Sequence, residues 1–179
     1  MKSRSFSLKP FPSTGFPPHL EITGDIVRSS NKLSINYTLS GPLAELMIPA
    51  KADIHLRKNR LWEETCFEFF IAPVNSDHYW EFNLSTSGHW NVYHFRSCRE
   101  GMQEETAFSA LPFSVLLYSG SLQLSLEVEL DRIVPEDQAL KINLSAVIKA
   151  KAGGMTFWAL THPGPQADFH RRDAFIIDL

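Results

Sequence analysis

From Tyr79 to Ser85 apolar and polar side chains alternate strictly, the alternation stops at Thr86-Ser87-Gly88, and it resumes through Trp90, Asn91, Val92 and Tyr93. A period of two marks a strand with one dry face, and two such runs around a glycine-ended turn predict a β-hairpin. With Gly88 in the left-handed region, a three-residue loop sets Ser85 opposite His89, Asn83 opposite Asn91 and Glu81 opposite Tyr93. Trp80, Phe82, Leu84, Trp90 and Val92 then share the dry face. A two-residue loop would set Asn91 against Phe82 and mix the faces. The polar face, made of Tyr79, Glu81, Asn83, Asn91 and Tyr93, is expected to line a ligand cleft.

The same alternation recurs along the chain. Leu33 to Leu39, Leu61 to Ile71, Phe113 to Tyr118, Leu122 to Leu130, Leu140 to Ala150, Met155 to His162 and Ala174 to Leu179 read as strands, and Leu43 to Ile48 as a further one ending at Pro49. Turn signals such as Ser40-Gly41-Pro42, Ser119-Gly120 and Gly153-Gly154 separate them, and no stretch sustains a helical period. Many short strands with frequent turns predict an all-β fold, an antiparallel β-sandwich. Residues 1–19, with Pro10, Pro12, Pro17 and Pro18, read as an extended N-terminal arm, and residues 20–179 as a single β-sandwich domain.

With 179 residues, 44% of them apolar, the chain can bury a substantial core. Its 17 basic and 20 acidic residues form no concentrated positive patch, which argues against nucleic acid as a partner. Met1 to Arg4 is basic but is followed by prolines instead of an apolar run, so neither a signal peptide nor a membrane span is expected. Cys66 and Cys98 lack metal-type spacing and read as free thiols in a reducing compartment. The expected location is cytoplasmic.

Trp62-Glu-Glu-Thr-Cys-Phe-Glu-Phe-Phe, Tyr79-Trp-Glu-Phe-Asn-Leu-Ser, Ser87-Gly-His-Trp-Asn-Val-Tyr-His-Phe-Arg and Thr161-His-Pro-Gly through Asp168-Phe-His170 together resemble the bacterial DOMON-like domains, relatives of the family 9 carbohydrate-binding modules. The resemblance covers most of the chain from about Leu61 onward. It implies a jelly-roll-like sandwich that binds a sugar or haem. It also implies an aromatic clamp, with Trp62 six positions before Glu68 as one jaw and Trp158 as the other. Thr86 stands where the family pattern has proline, and Cys98 where it has tyrosine.

A sugar site needs flat aromatic faces together with carboxylates and amides that take hydroxyl groups. Trp62, Glu64, Glu68, Tyr79, Glu81, Asn83, Asn91, Tyr93 and Trp158 supply that chemistry, although each is also compatible with a packing or solvated role. Arg96 and Arg99 would balance the acids or grip an anionic group, and His162 and His170 bracket a loop that can form a rim. The reading is a non-catalytic module for a small polar ligand, a carbohydrate foremost, with no cofactor. A partner protein also suits the compartment. One alternative is a haem-binding electron-transfer module using His89, His94, His162 or His170 with Met102 or Met155, although no compact metal motif occurs. The other is a glycosidase-like enzyme with paired carboxylates such as Glu68 and Glu81.

Overall fold

Alternation in the sequence becomes strand pairing in the computed structural model of the chain, which describes residues 2–12 and 19–179. The strands are, in order, β1 (Lys2–Pro10), β2 (Glu21–Ser29), β3 (Lys32–Ser40), β4 (Cys66–Pro73), β5 (Tyr79–Ser85), β6 (Trp90–Phe95), β7 (Gln103–Glu104), β8 (Phe113–Leu117), β9 (Ser121–Glu129), β10 (Leu140–Lys149), β11 (Met155–Ala159) and β12 (Ile177–Asp178). Every pairing between strands is antiparallel. One layer runs β1-β2-β3-β9-β8 and the other β7-β6-β5-β4-β10-β11-β1, so β1 belongs to both. Among the described residues no helix is long and apolar enough to cross a membrane.

The layers face each other across one large core in which Ile35, Tyr37 and Leu124 meet Phe67, Phe69, Phe82 and Leu144. Tyr37 joins them most directly. Its ring lies 5.0 Å from that of Phe67, and its hydroxyl donates to the carbonyl oxygen of Glu68 at 2.8 Å. The bond satisfies a phenol that would otherwise be buried without a partner.

The hairpin takes the expected register, pairing Glu81 with Tyr93, Asn83 with Asn91 and Leu84 with Trp90. Gly88 has φ of +96°, and the Ser85 amide donates to the His89 carbonyl at 2.9 Å. Side-chain space tightens the requirement for glycine, because a Cβ at this position would sit 2.4 Å from the His55 ring.

Four expectations need correction. Residues 2–10 are no arm outside the domain. Phe6 and Leu8 point into the core, and β1 pairs over Lys2 to Leu8 with β2. Its proline falls at the last position, where β1 has only a short pairing with β11. Pro17 and Pro18 lie outside the described residues. The sequence suggests only a short edge strand near Leu20 to Ile22, but strand β2 runs on to Ser29, because Gly24 and Asp25 interrupt an alternation that continues in Ile26 and Arg28. Leu43–Glu45 forms a 3-10 turn, and only Leu46 makes a single bridge, to Ala150. Leu61–Glu63 is likewise a 3-10 turn, so β4 begins at Cys66.

The layers differ on their outer faces. On β9 the outward residues meet water, whereas every residue of β4 and β5 is buried. A second apolar cluster covers that outer face, bringing Phe70, Tyr79, Phe95 and Val147 against Phe169 and Phe175 from the chain after β11. Replacing Tyr37 by Phe removes the hydroxyl tie between the layers while keeping the ring. Urea denaturation of Y37F is expected to show a loss of about 1 kcal/mol, with the slope unchanged.

Candidate functional site

Between the outer face of the β4-β5-β10-β11 region and the segment that covers it lies a cavity of about 540 Å³. Its polar floor is set by strand register. Glu68 pairs with Asn83 and Glu81 with Phe70, so the two carboxylates are diagonal same-face neighbours with side-chain roots roughly 7 Å apart. Both reach the cavity although each residue is almost wholly buried, at 3% and 4% exposure. Phe95, Val147 and Phe157 form apolar walls from β6, β10 and β11. Trp62, from the 3-10 turn before β4, stands edge-on to Tyr93 at 5.8 Å. Phe169, His170 and Arg99 close the other side.

The carboxylates are unequally served. Glu81 Oε1 accepts from Asn83 Nδ2 at 2.8 Å. Glu68 Oε2 accepts only a long bond from Ser145 Oγ at 3.5 Å, and its Oε1 is buried without a partner among the described residues. Burial and the charge of Glu81 push the Glu68 carboxyl well above the usual carboxylate range. Burial also pushes Glu81 up to about 7, against the opposing pull of Asn83 and Arg99.

His170 is neutral in this setting, its pKa lowered by burial and by Arg99 to about 4. The Tyr79 hydroxyl accepts from the Arg99 amide at 3.1 Å, so its own proton is assigned to His170 Nδ1 at 2.7 Å. That leaves the proton of His170 on Nε2, 3.7 Å from Glu81 Oε2. Arg99 in turn is held by Asp168 through Nε and Nη2, at 3.1 and 2.7 Å.

Of the side chains expected to bind, Trp62, Glu68, Glu81, Arg99 and His170 converge on this cavity, and the others do not line it. Trp158 is the plainest correction: it is 4% exposed in the main core, with Nε1 bonded to Thr156 at 2.9 Å. Strand alternation turns its neighbour Phe157 into the cavity instead. Tyr79 is fully buried and Asn83 serves Glu81. Asn91 and Tyr93 are spent on the segment before β4, both bonding Asn59. Arg57 ties that segment to Asn91 as well, at 2.7 Å. Glu64 pairs with Lys149, and His162 bonds the Lys9 carbonyl. Arg96 packs beside Gly101. Phe95 was legible as the next residue in phase with Tyr79 and Tyr93 on the paired strands. Phe169 lies in the Asp168-Phe-His170 stretch noted above, but no periodicity there turns it toward the cavity. Met102 and Met155 do line the cavity, but both nitrogens of His170 face protein partners.

No family model matches this chain, and no curated protein matches it. Solved structures do. A candidate carbohydrate-binding protein from Bacteroides uniformis aligns with a TM-score of 0.71 at 15% identity, over 96% of this chain and 83% of that one. Two structures of a family 9 carbohydrate-binding module from Caldicellulosiruptor kristjanssonii also align. The complex with cellotriose gives a TM-score of 0.52 at 6% identity over 90% of this chain and 74% of the module. The complex with glucose gives 0.53 at 7% over 92% and 78%. The chain shares the family 9 module fold. The β-sandwich expected from the sequence is therefore shown both by strand pairing and by likeness to this module.

The two shifted groups act oppositely on stability. Between the unfolded carboxyl value of about 4.3 and 7, folded Glu81 holds more proton than the unfolded chain, so its contribution falls as pH rises through that window. Between about 4 and 6.5 the unfolded chain protonates His170 first, so that contribution falls as pH drops. Chemical denaturation of E81Q and the unaltered chain is expected to agree near pH 4 and to diverge with rising pH. The variant should become more stable by ~3 kcal/mol above pH 7.

Proposed function

We propose that this chain is a non-catalytic module that binds a small saccharide in the cavity over Glu68 and Glu81. One observation carries the reading: a cavity of ligand size combines aromatic walls with a carboxylate floor. Trp62 and Phe157 offer flat faces to the C–H side of a pyranose, and the carboxylates accept from its hydroxyls. Arg99, oriented by Asp168, has donors left for a ring or hydroxyl oxygen. Modules of the same fold solved with glucose and cellotriose support the choice of ligand class. In the cytoplasm expected from the sequence, a free mono- or disaccharide suits the enclosed floor better than a polymer chain does.

Calorimetric titration with a panel of mono- and disaccharides tests the proposal. Saturable binding by at least one sugar is expected, and W62A should weaken it about tenfold through loss of the stacking face while leaving the melting transition cooperative. A folded protein that binds no member of the panel would sink the reading.

A further inference from the structure

The floor of the cavity holds two carboxyl groups that the protein leaves incompletely partnered. Glu68 lines the cavity, and its buried Oε1 has no hydrogen-bond partner among the described residues. The free oxygen of Glu81 lies 3.7 Å from Nε2 of the neutral His170 and accepts no hydrogen bond among the described residues. Among the described residues no cation hydrogen-bonds the pair: the charge of Arg99 eases both carboxyls, but its guanidinium is bonded to Asp168 and its side chain is 57% exposed. A buried carboxylate left in this state is costly, and the cost falls sharply when a hydrogen-bonded cation joins it.

Hydroxyl groups of a neutral sugar would satisfy acceptors but could not take the place of a proton on the pair. An ammonium brings three donors and a positive charge together, and the aromatic walls of Trp62, Phe95 and Phe157 favour a cation beside them. A metal ion fits less well, because no group of three or more potential ligands forms among the described residues.

We infer that the ligand is an amino sugar whose protonated amine seats between Glu68 and Glu81. The inference rests on the saccharide reading of the same cavity and narrows it to a chemical class. It has a proton balance of its own. In the empty site the carboxyl pair retains a proton near neutral pH. The ammonium takes the place of that proton, which leaves to solvent while the amine keeps its own. The other titratable groups around the pair do not supply it. His170 is already neutral, and burial holds the Tyr37, Tyr79, Tyr93 and Cys66 protons on.

Calorimetry at pH 7 with glucosamine, glucose, N-acetylglucosamine and cyclohexylamine, each in two buffers of different ionisation heat, reads both parts. Glucosamine is expected to bind at least about tenfold tighter than glucose or its N-acetyl form, as for a charge-assisted contact, and to release up to one proton. Glucose should release none. E68Q and E81Q should each erase the preference for glucosamine over glucose, with thermal melting confirming that at least one of them is folded. Glucose or N-acetylglucosamine binding as tightly as glucosamine overturns the ammonium seat and leaves the saccharide reading standing. Cyclohexylamine matching glucosamine while glucose stays silent overturns the saccharide reading and keeps the seat. Silence from all four overturns both.

Discussion

Burial of β4 and β5 on both faces is the constraint from which the rest of the molecule follows. A sandwich strand ordinarily gives one face to the core and one to water, as β9 does. Here the second face is roofed by Phe169, Phe175 and the chain around them, so polar residues placed outward by alternation end up away from solvent. Glu68 and Glu81 are consequences of that roof. On an open sheet they would be ordinary ionised acids, and under cover burial pushes both carboxyls well above the usual carboxylate range. The same roof supplies the walls of the cavity, so chemistry and enclosure have one origin.

Much of this was legible in the sequence because a period of two leaves little freedom. Once Gly88 fixed the turn, the pairing of Glu81 with Tyr93 and Asn83 with Asn91 could be counted off. The lower part of the chain is less transparent. Alternation says that Phe157 and Trp158 face opposite ways but leaves open which one looks inward. That choice is made by the pairing of Trp158 with Ala146, a core position of β10. The roof was illegible for a different reason. Phe169 lies in a segment without period, and its place depends on contacts such as Asn143 Nδ2 to its carbonyl at 2.9 Å, between residues far apart in sequence. The N-terminal strand was hidden by its neighbours: prolines after Lys9 drew attention from the alternation of Phe6 and Leu8.

Amides that look like ligand groups in a sequence have a competing use when strands are covered. Asn83 and Asn91 satisfy other buried polar groups, the first a carboxylate and the second a loop. Their burial is what lets Glu68 keep an unpartnered oxygen, since the row of amides beside it is already spent. A site can thus be recognised less by how many polar residues it contains than by which polar atom the protein has left unsatisfied.

Strand β1 belongs to both layers, and this has a consequence for how the chain assembles. Its pairing with β2 is local, but the contact of Lys9 with Ala159 closes a loop of 150 residues and must wait for the rest of both sheets to be in place. Before that closure the end of β1 and the facing side of β11 present unsatisfied backbone groups, open to strands of any neighbouring molecule. The seam is therefore also a seal: its late closing removes two sticky edges at once, and a chain caught short of it is the form most prone to join its own kind.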